Sequence, residues 1–184
     1  MRIISGTWRS RPLIAPKGDT TRPTADRTRE TLFSMLTSRL GSFEGLQVLD
    51  LFSCSGALGL EALSRGAAHC VFVEQDKAAL DALESNISKL GARDLTEIRR
   101  SSVLSLVPAP KVYDLILMDP PYGTGAGAVA LDKISRLGWV ASGALVSIET
   151  GNREDTVVKG FEIDTTRDIG KARLTLLRPE SGSE

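Results

Sequence analysis

The chain has 184 residues, 41% of them hydrophobic and 25% charged, which suits one domain with its own core and is too short for two independent ones. Lys plus Arg and Asp plus Glu both number 23, so bulk charge does not hold the chain on a polyanion. Two cysteines (Cys54, Cys70) and the single His69 cannot supply a zinc set, no apolar run reaches the roughly 18 residues of a membrane span, and the first residues lack a secretion signal's apolar stretch; the expectation is a reduced, cytoplasmic protein with no metal. Charge is nevertheless uneven. Residues 1–31 carry seven basic side chains (Arg2, Arg9, Arg11, Lys17, Arg22, Arg27, Arg29) against three acids, a local +4 that leaves −4 on the remainder. Such a split marks either an end that meets a polyanion or a merely solvated basic end.

In chain order, two short β-prone pieces around Ser5-Gly6 predict a hairpin or loose ribbon bearing Trp8 and the arginines. Thr24 can cap a helix with Leu32, Phe33, Leu36 and Leu40 on one face, ending near Gly41. From residue 46 the pattern becomes strand, turn, helix. Strands are expected at Leu46–Leu51, Cys70–Glu74, Leu95–Arg99, Val112–Met118 and Ala144–Ile148, with helices through Leu58–Leu63, over Asp76–Leu90, and between the last two strands. Near-continuous apolar strands alternating with helices predict a mostly parallel sheet covered on both faces. Phe161–Thr165 and Ala172–Leu177 follow without an intervening helix, so the last strands should be antiparallel. The polar tail from Glu180 is expected to fray.

Ligands of open parallel sheets bind at the carboxyl ends of the strands. The first strand ends in Asp50-Leu-Phe-Ser-Cys-Ser-Gly56-Ala-Leu-Gly, a small-residue turn that lets backbone N–H groups approach a bound molecule, although such turns also use glycine for packing alone. The second strand ends in Glu74, 24 positions after Asp50, near the roughly 20-residue spacing at which an acid reaches a ribose hydroxyl pair. Together they point to a nucleoside site. The fourth strand ends in Asp119-Pro120-Pro121-Tyr122. Two prolines stiffen the backbone and remove donors, so Asp119 and the Pro120 carbonyl can accept the two hydrogens of an amino group on a base while Tyr122 stacks on its ring.

The run Leu49–Gly66 with Asp119–Tyr122 resembles the S-adenosylmethionine-dependent methyltransferases of amino groups. With Arg2-Ile-Ile-Ser-Gly-Thr-Trp-Arg and Arg22-Pro-Thr-Ala-Asp-Arg-Thr-Arg-Glu-Thr-Leu-Phe33 added, the chain is similar over nearly its whole length to the RsmD family, which methylates the exocyclic N2 of one guanine in bacterial 16S ribosomal RNA. The resemblance implies a class I (Rossmann-like) fold with a seven-stranded, mostly parallel sheet whose last strands are antiparallel. It also implies an N-terminal basic β-hairpin extension (1–20) before the methyltransferase domain (21–184). Asp50, Ser55 and Gly56 would then surround the methionine part of the cofactor and Glu74 its ribose, with Gln75, Asp76, Ser102 and Val103 beside the adenine. Asp119, Pro120, Pro121 and Tyr122 would be catalytic. Arg2, Trp8, Arg9, Arg11, Arg22, Arg27 and Arg29 would meet RNA. The implied partner is 16S rRNA within a small-subunit assembly particle, bound by a monomer.

Two positions depart from the family pattern. Cys54 stands where glycine is usual, and an ordinary negative φ is expected there, with the thiol turned away from the cofactor. Ser102 replaces an acid or amide, so its contact with the adenine amine should be weaker or made through water. Other readings stay open at this level. A nicotinamide oxidoreductase would use the first turn and Glu74; a DNA-adenine or protein-glutamine methyltransferase would use Asp119 to Tyr122; a non-catalytic RNA-binding assembly factor would use the basic ribbon.

Overall fold

A computed structural model describes residues 1–18 and 23–182. Arg22 and the last two residues of the polar tail lie outside that description. The first helix, α1 (Pro23–Leu40), begins one residue before Thr24, with proline at the first helical position, where its missing N–H costs nothing. Leu32, Phe33 and Leu36 are buried as the helical spacing predicts, and Gly41 ends the helix at φ +71°.

The alternating region follows as β1 (Gln47–Leu51), α2 (Ala57–Ser64), β2 (His69–Glu74), α3 (Lys77–Leu90), β3 (Thr96–Arg100), β4 (Tyr113–Met118), α4 (Ala126–Arg136), β5 (Val140–Gly151), β6 (Phe161–Ile169) and β7 (Ala172–Pro179). The strands form one seven-stranded sheet in the order β3-β2-β1-β4-β5-β7-β6. The first five are parallel, and β7 inserts antiparallel between β5 and β6. Strand order reverses between β1 and β4, which opens a crevice at their carboxyl ends.

The central strands are buried on both faces, while the edge strands β3 and β6 are largely open. One cluster joins α1, α2 and α3 to Val48, Phe72, Leu117 and Leu145; the other joins α4 to Leu49, Val73, Met118 and Ile148. β5 is longer than its apolar run suggested, because Val140 already pairs with Tyr113 ahead of an irregularity in the register, and the strand runs on through Glu149 to Gly151. Among the described residues, no helix is long and apolar enough to cross a membrane.

The N-terminal segment is a loose ribbon rather than a regular hairpin. A single antiparallel bridge, Arg2 with Pro12, is flanked by hydrogen bonds from Ile3 N to the Arg11 carbonyl and from Leu13 N to the Met1 carbonyl, both 2.9 Å. Ile3 and Leu13 are buried in the α1–α3 cluster, so the ribbon shares the core of the domain. Its seat is the end of α2. Glu61, 0% exposed, accepts from Ile4 N (2.8 Å) and Ser5 N (3.0 Å), and the Ser64 hydroxyl accepts from Trp8 N and donates to the Ser5 carbonyl. Gly6, at φ +87°, passes so near α2 that a Cβ there would lie 1.8 Å from the Ser64 carbonyl oxygen. Only glycine fits that approach.

Candidate active site

Four carboxylates line the carboxyl edge of the sheet, one from each neighbouring strand: Glu74 (β2), Asp50 (β1), Asp119 (after β4) and Glu149 (β5). The registers Asp50↔Phe72, Asp50↔Leu117 and Leu117↔Ser147 give Asp50, Glu74 and Glu149 the strand parity of residues that pack toward α1–α3, and Asp119 follows directly on Met118 at the end of β4. Asp50 is 1% exposed. Its Oδ2 accepts from Gly59 N at 2.9 Å, while Oδ1 is buried with no partner. Burial raises its pKa well above the ordinary value; the Gly59 hydrogen bond opposes this, and the charges of Asp119 and Glu74 add to it. An unpaired carboxylate oxygen in such a place is costly unless a donor arrives.

The turn after Asp50 is strained. Phe52 and Cys54 have φ of +58° and +49°, and Gly56 has +81°. The expectation of a negative φ at Cys54 was therefore wrong. In this left-handed turn Cys54 N–H donates to Glu74 Oε2 at 2.8 Å. A non-glycine residue there costs about 1–2 kcal/mol, and such outliers gather at ligand sites. The glycines of this turn serve packing as well: a Cβ on Gly56 would lie 2.3 Å from Leu83 Cδ1, and one on Gly59 2.5 Å from the Phe72 ring. Stability to urea should therefore rank Cys54→Gly at or above the wild type and Cys54→Val below it by about 1–2 kcal/mol, because a branched Cβ tolerates positive φ least.

Glu74 already gathers three backbone donors, Cys54 N on one oxygen and Gln75 N and Asp76 N on the other, all at 2.8 Å. A carboxylate has about four acceptor positions, so one remains for a further donor, and a second would have to share or displace one of these. Gln75 and Asp76 are exposed beyond β2; Ser102 and Val103 follow β3, whose Arg100 pairs with Glu74, which sets the two pairs side by side. Asp76 caps α3 through Ala79 N, and the Ser102 hydroxyl caps a short 3-10 turn through Leu104 N. Ser55 is buried, and its carbonyl accepts from Asn86 Nδ2 (3.0 Å), which also donates to the Ile14 carbonyl (2.9 Å) while Asn86 Oδ1 takes Ile14 N (2.7 Å). One buried amide thus ties the ribbon's exit to the turn after β1.

At β4, the Asp119-Pro120-Pro121-Tyr122 loop is fixed from two sides. Gly127 lets the start of α4 pack on Pro120, since a Cβ there would meet Pro120 Cγ at 2.9 Å and Ile148 Cδ1 at 2.3 Å. The Thr124 hydroxyl takes the Pro121 carbonyl at 2.8 Å, so Pro121 stiffens the loop rather than presenting an acceptor. The Tyr122 hydroxyl donates to Glu149 Oε1, and Gly123 N to Glu154 Oε1 at 2.8 Å, leaving the ring 47% exposed. Burial raises the pKa of both Tyr122 and Glu149. Reading the strand ends missed Glu149 and Glu154. The acid in Ile148-Glu149-Thr150 was the signal, at a strand end as visible as the others.

The proposed RNA residues divide. Arg2, Arg9, Arg11 and Arg27 are exposed, and Arg11 Nη2 donates to the Lys89 carbonyl at 2.6 Å. Trp8 is half-buried against the α1–α3 cluster. Arg29 corrects the expectation of a surface contact: it is 5% exposed, and its Nη2 binds the Arg2 carbonyl and Asp26, so it braces the ribbon from within.

A parallel five-strand core closed by an antiparallel pair, with acids at the ends of β1 and β2 and an Asp-Pro-Pro-Tyr loop after β4, defines a Rossmann-like methyltransferase. Residues 1–178 match the family model described as Conserved hypothetical protein 95. Ribosomal RNA small subunit methyltransferase D of Escherichia coli (strain K12) is 33% identical over 186 residues, covering 100% of this chain and 92% of the relative. The putative rRNA methyltransferase YlbH of Bacillus subtilis (strain 168) is 39% identical over 126 residues, 66% of this chain and 67% of that one. The solved structure of the putative methyltransferase yhhF from Escherichia coli superposes with a TM-score of 0.85 at 34% identity, covering 99% of both chains. The chain belongs to the RsmD family of ribosomal RNA methyltransferases.

Proposed function

We propose that the protein transfers a methyl group from S-adenosylmethionine to the exocyclic N2 of a guanine in 16S ribosomal RNA, carried by a small-subunit assembly particle. The observation that carries this reading is the juxtaposition of a rigid Asp119-Pro120 acceptor pair, a strained turn with an orphaned buried carboxylate oxygen one strand away, and a basic ribbon seated on the helix that follows that turn.

The residues fit the cofactor. The unpaired Oδ1 of Asp50 suits a donor on the ammonium of the methionine part, Ser55 and Gly56 line the turn beside it, and Glu74 suits the ribose. Gln75, Asp76, Ser102 and Val103 would flank the adenine. S-adenosylmethionine supplies, when bound, a methyl group on a positively charged sulfur, and a row of carboxylates favours a cation at this edge. The protein's task is then alignment and exclusion of water.

The lone pair of a guanine 2-amino group is drawn into the ring. Asp119 and the Pro120 carbonyl, accepting its two N–H groups, return density to nitrogen and aim the lone pair along the transfer axis. As the new N–C bond forms and the old S–C bond breaks, the surplus proton on nitrogen passes to Asp119. Tyr122 gives the extruded base a surface to lie on.

The same acidic edge repels RNA phosphates, and Arg2, Arg9, Arg11 and Arg27 offset that repulsion from the ribbon and the start of α1. This favours RNA over a protein-glutamine substrate. The test is mass mapping of rRNA nucleosides from cells lacking the protein and from cells given it back: N2-methylguanosine should appear at one 16S position only with the protein. Complementation by the Arg2→Ala, Arg9→Ala, Arg11→Ala triple variant should restore little of it. In vitro the triple variant should keep its melting temperature and flatten the salt dependence of RNA binding by about one unit of slope for each phosphate that the arginines no longer neutralise. An unchanged slope with a lowered melting temperature would make the ribbon purely structural.

A further inference from the structure

We propose that Glu149 is a specificity-determining residue that reads the target base by accepting the ring N1–H of guanine beside the amino group held at Asp119. The proposal rests on the guanine-N2 reading and deepens it. Of the four carboxylates on the edge, Asp50 and Glu74 face the turn after β1, which leaves Asp119 and Glu149 on the substrate side. β5 continues past Ile148, whose register partner is Met118, the last residue of β4, so Glu149 and Asp119 each follow a paired position on adjacent parallel strands, whose backbones run about 4.8 Å apart. One oxygen of Glu149 is held by the Tyr122 hydroxyl, which fixes the carboxylate beside the ring offered to the base. Glu154, bridging Gly123 N and Gly151 N at 2.8 Å each, ties the loop to the same strand end.

An ionised carboxylate only accepts hydrogen bonds, and the Tyr122 hydroxyl, by donating to Glu149, favours that ionised form against the burial that opposes it. Two acceptors side by side therefore select a base edge with two neighbouring donors. Guanine has one, with its ring N1–H next to its amino group. Adenine and cytosine set a ring lone pair beside theirs, and uracil has no amino group. A lone pair facing Glu149 leaves two acceptors in opposition within a desolvated site, and sites built to receive an N–H reject analogues that lack it. Accepting N1–H also returns electron density toward N2, so the contact that selects the base prepares it for reaction.

The test uses small-subunit particles reconstituted with rRNA carrying either guanine or 2-aminopurine at the mapped position. 2-Aminopurine keeps the 2-amino group and has a lone pair at N1. The wild-type protein should methylate guanine at least about tenfold faster than 2-aminopurine. Glu149→Gln should lose at least about tenfold on guanine and little on 2-aminopurine, because its amide can turn a donor to the lone pair; the preference then falls toward one. S-adenosylhomocysteine affinity, measured on the same preparations, should stay at the wild-type value and reports folding. Equal losses on both bases would overturn the proposal and reduce Glu149 to a support for Tyr122, as would a wild-type protein that does not discriminate, an outcome independent of any variant's folding. Absence of N2-methylguanosine from wild-type reactions on guanine would instead refute the underlying reading, and it shows before any variant is compared.

Discussion

Asp119→Ala is expected to lower the rate of methyl transfer by about 10²–10⁴-fold, the range for removing a group that takes a proton in the transition state. S-adenosylhomocysteine affinity should change little, since Asp119 follows β4 while the turn proposed to hold the cofactor follows β1. The split between binding and turnover gives this prediction its force. A structural residue would lower both, whereas an acceptor for the amino group acts only on the chemical step and on base positioning. Asp119→Asn should recover part of the loss, because the amide oxygen can still accept one N–H but cannot take up the proton. Single-turnover rates with saturating RNA, set beside calorimetric titration of S-adenosylhomocysteine, measure both quantities. Near-normal turnover by Asp119→Ala would remove the residue from the mechanism.

Asp50→Asn should pull stability and affinity in opposite directions. A carboxyl whose pKa is raised on folding binds its proton more tightly in the native protein than in the unfolded chain, so native stability falls as pH rises from the ordinary value of 3.8 toward the folded value. In the cofactor-free protein that loss grows with pH until the folded value is reached, and asparagine removes the group that causes it. The variant should melt higher than the wild type at neutral pH and show a flatter dependence of melting temperature on pH. Its affinity for S-adenosylhomocysteine should drop by about 10–100-fold, corresponding to about 1.5–3 kcal/mol for a hydrogen bond to a charged group. Wild-type affinity should weaken as the pH is lowered, since protonating Asp50 removes the charge proposed to meet the ammonium. Differential scanning calorimetry and titration across pH 5–8 check both halves, and a variant that melts lower at neutral pH while binding normally would contradict them. A buried, half-satisfied carboxylate is a stability cost kept for function.

Much of the proposed cofactor side of the edge was legible because it is local. Asp50, the small-residue turn and Glu74 sit at strand ends that apolar runs announce, and a parallel sheet sends its strand ends to one side. Asp119-Pro-Pro-Tyr122 was legible for the same reason, with two prolines that few strand-to-helix turns would carry. The strain at Cys54 was not. Cys54 takes a left-handed φ in the place where glycine is usual, and no glycine in this sequence marks the position.

The sequence by itself determined the order of elements, the parallel core with its antiparallel close, the acids at the strand ends and the charge split that separates a basic start from an acidic body, since each follows from periodicity, turn chemistry or composition read over short windows. Tertiary structure alone decided which partner each polar group found. Glu61 and Ser64, inside the family-like run Leu49–Gly66, became the seat of the ribbon; Arg29 went inward to the Arg2 carbonyl; Asn86 joined Ile14 to Ser55; and Glu149 came level with Asp119. These pairings span between 27 and 72 residues along the chain. Their physical cause is the cost of leaving buried donors and acceptors unmatched once the apolar faces have closed, a cost borne at Asp50 Oδ1 and set by the whole packed arrangement rather than by any single segment of it.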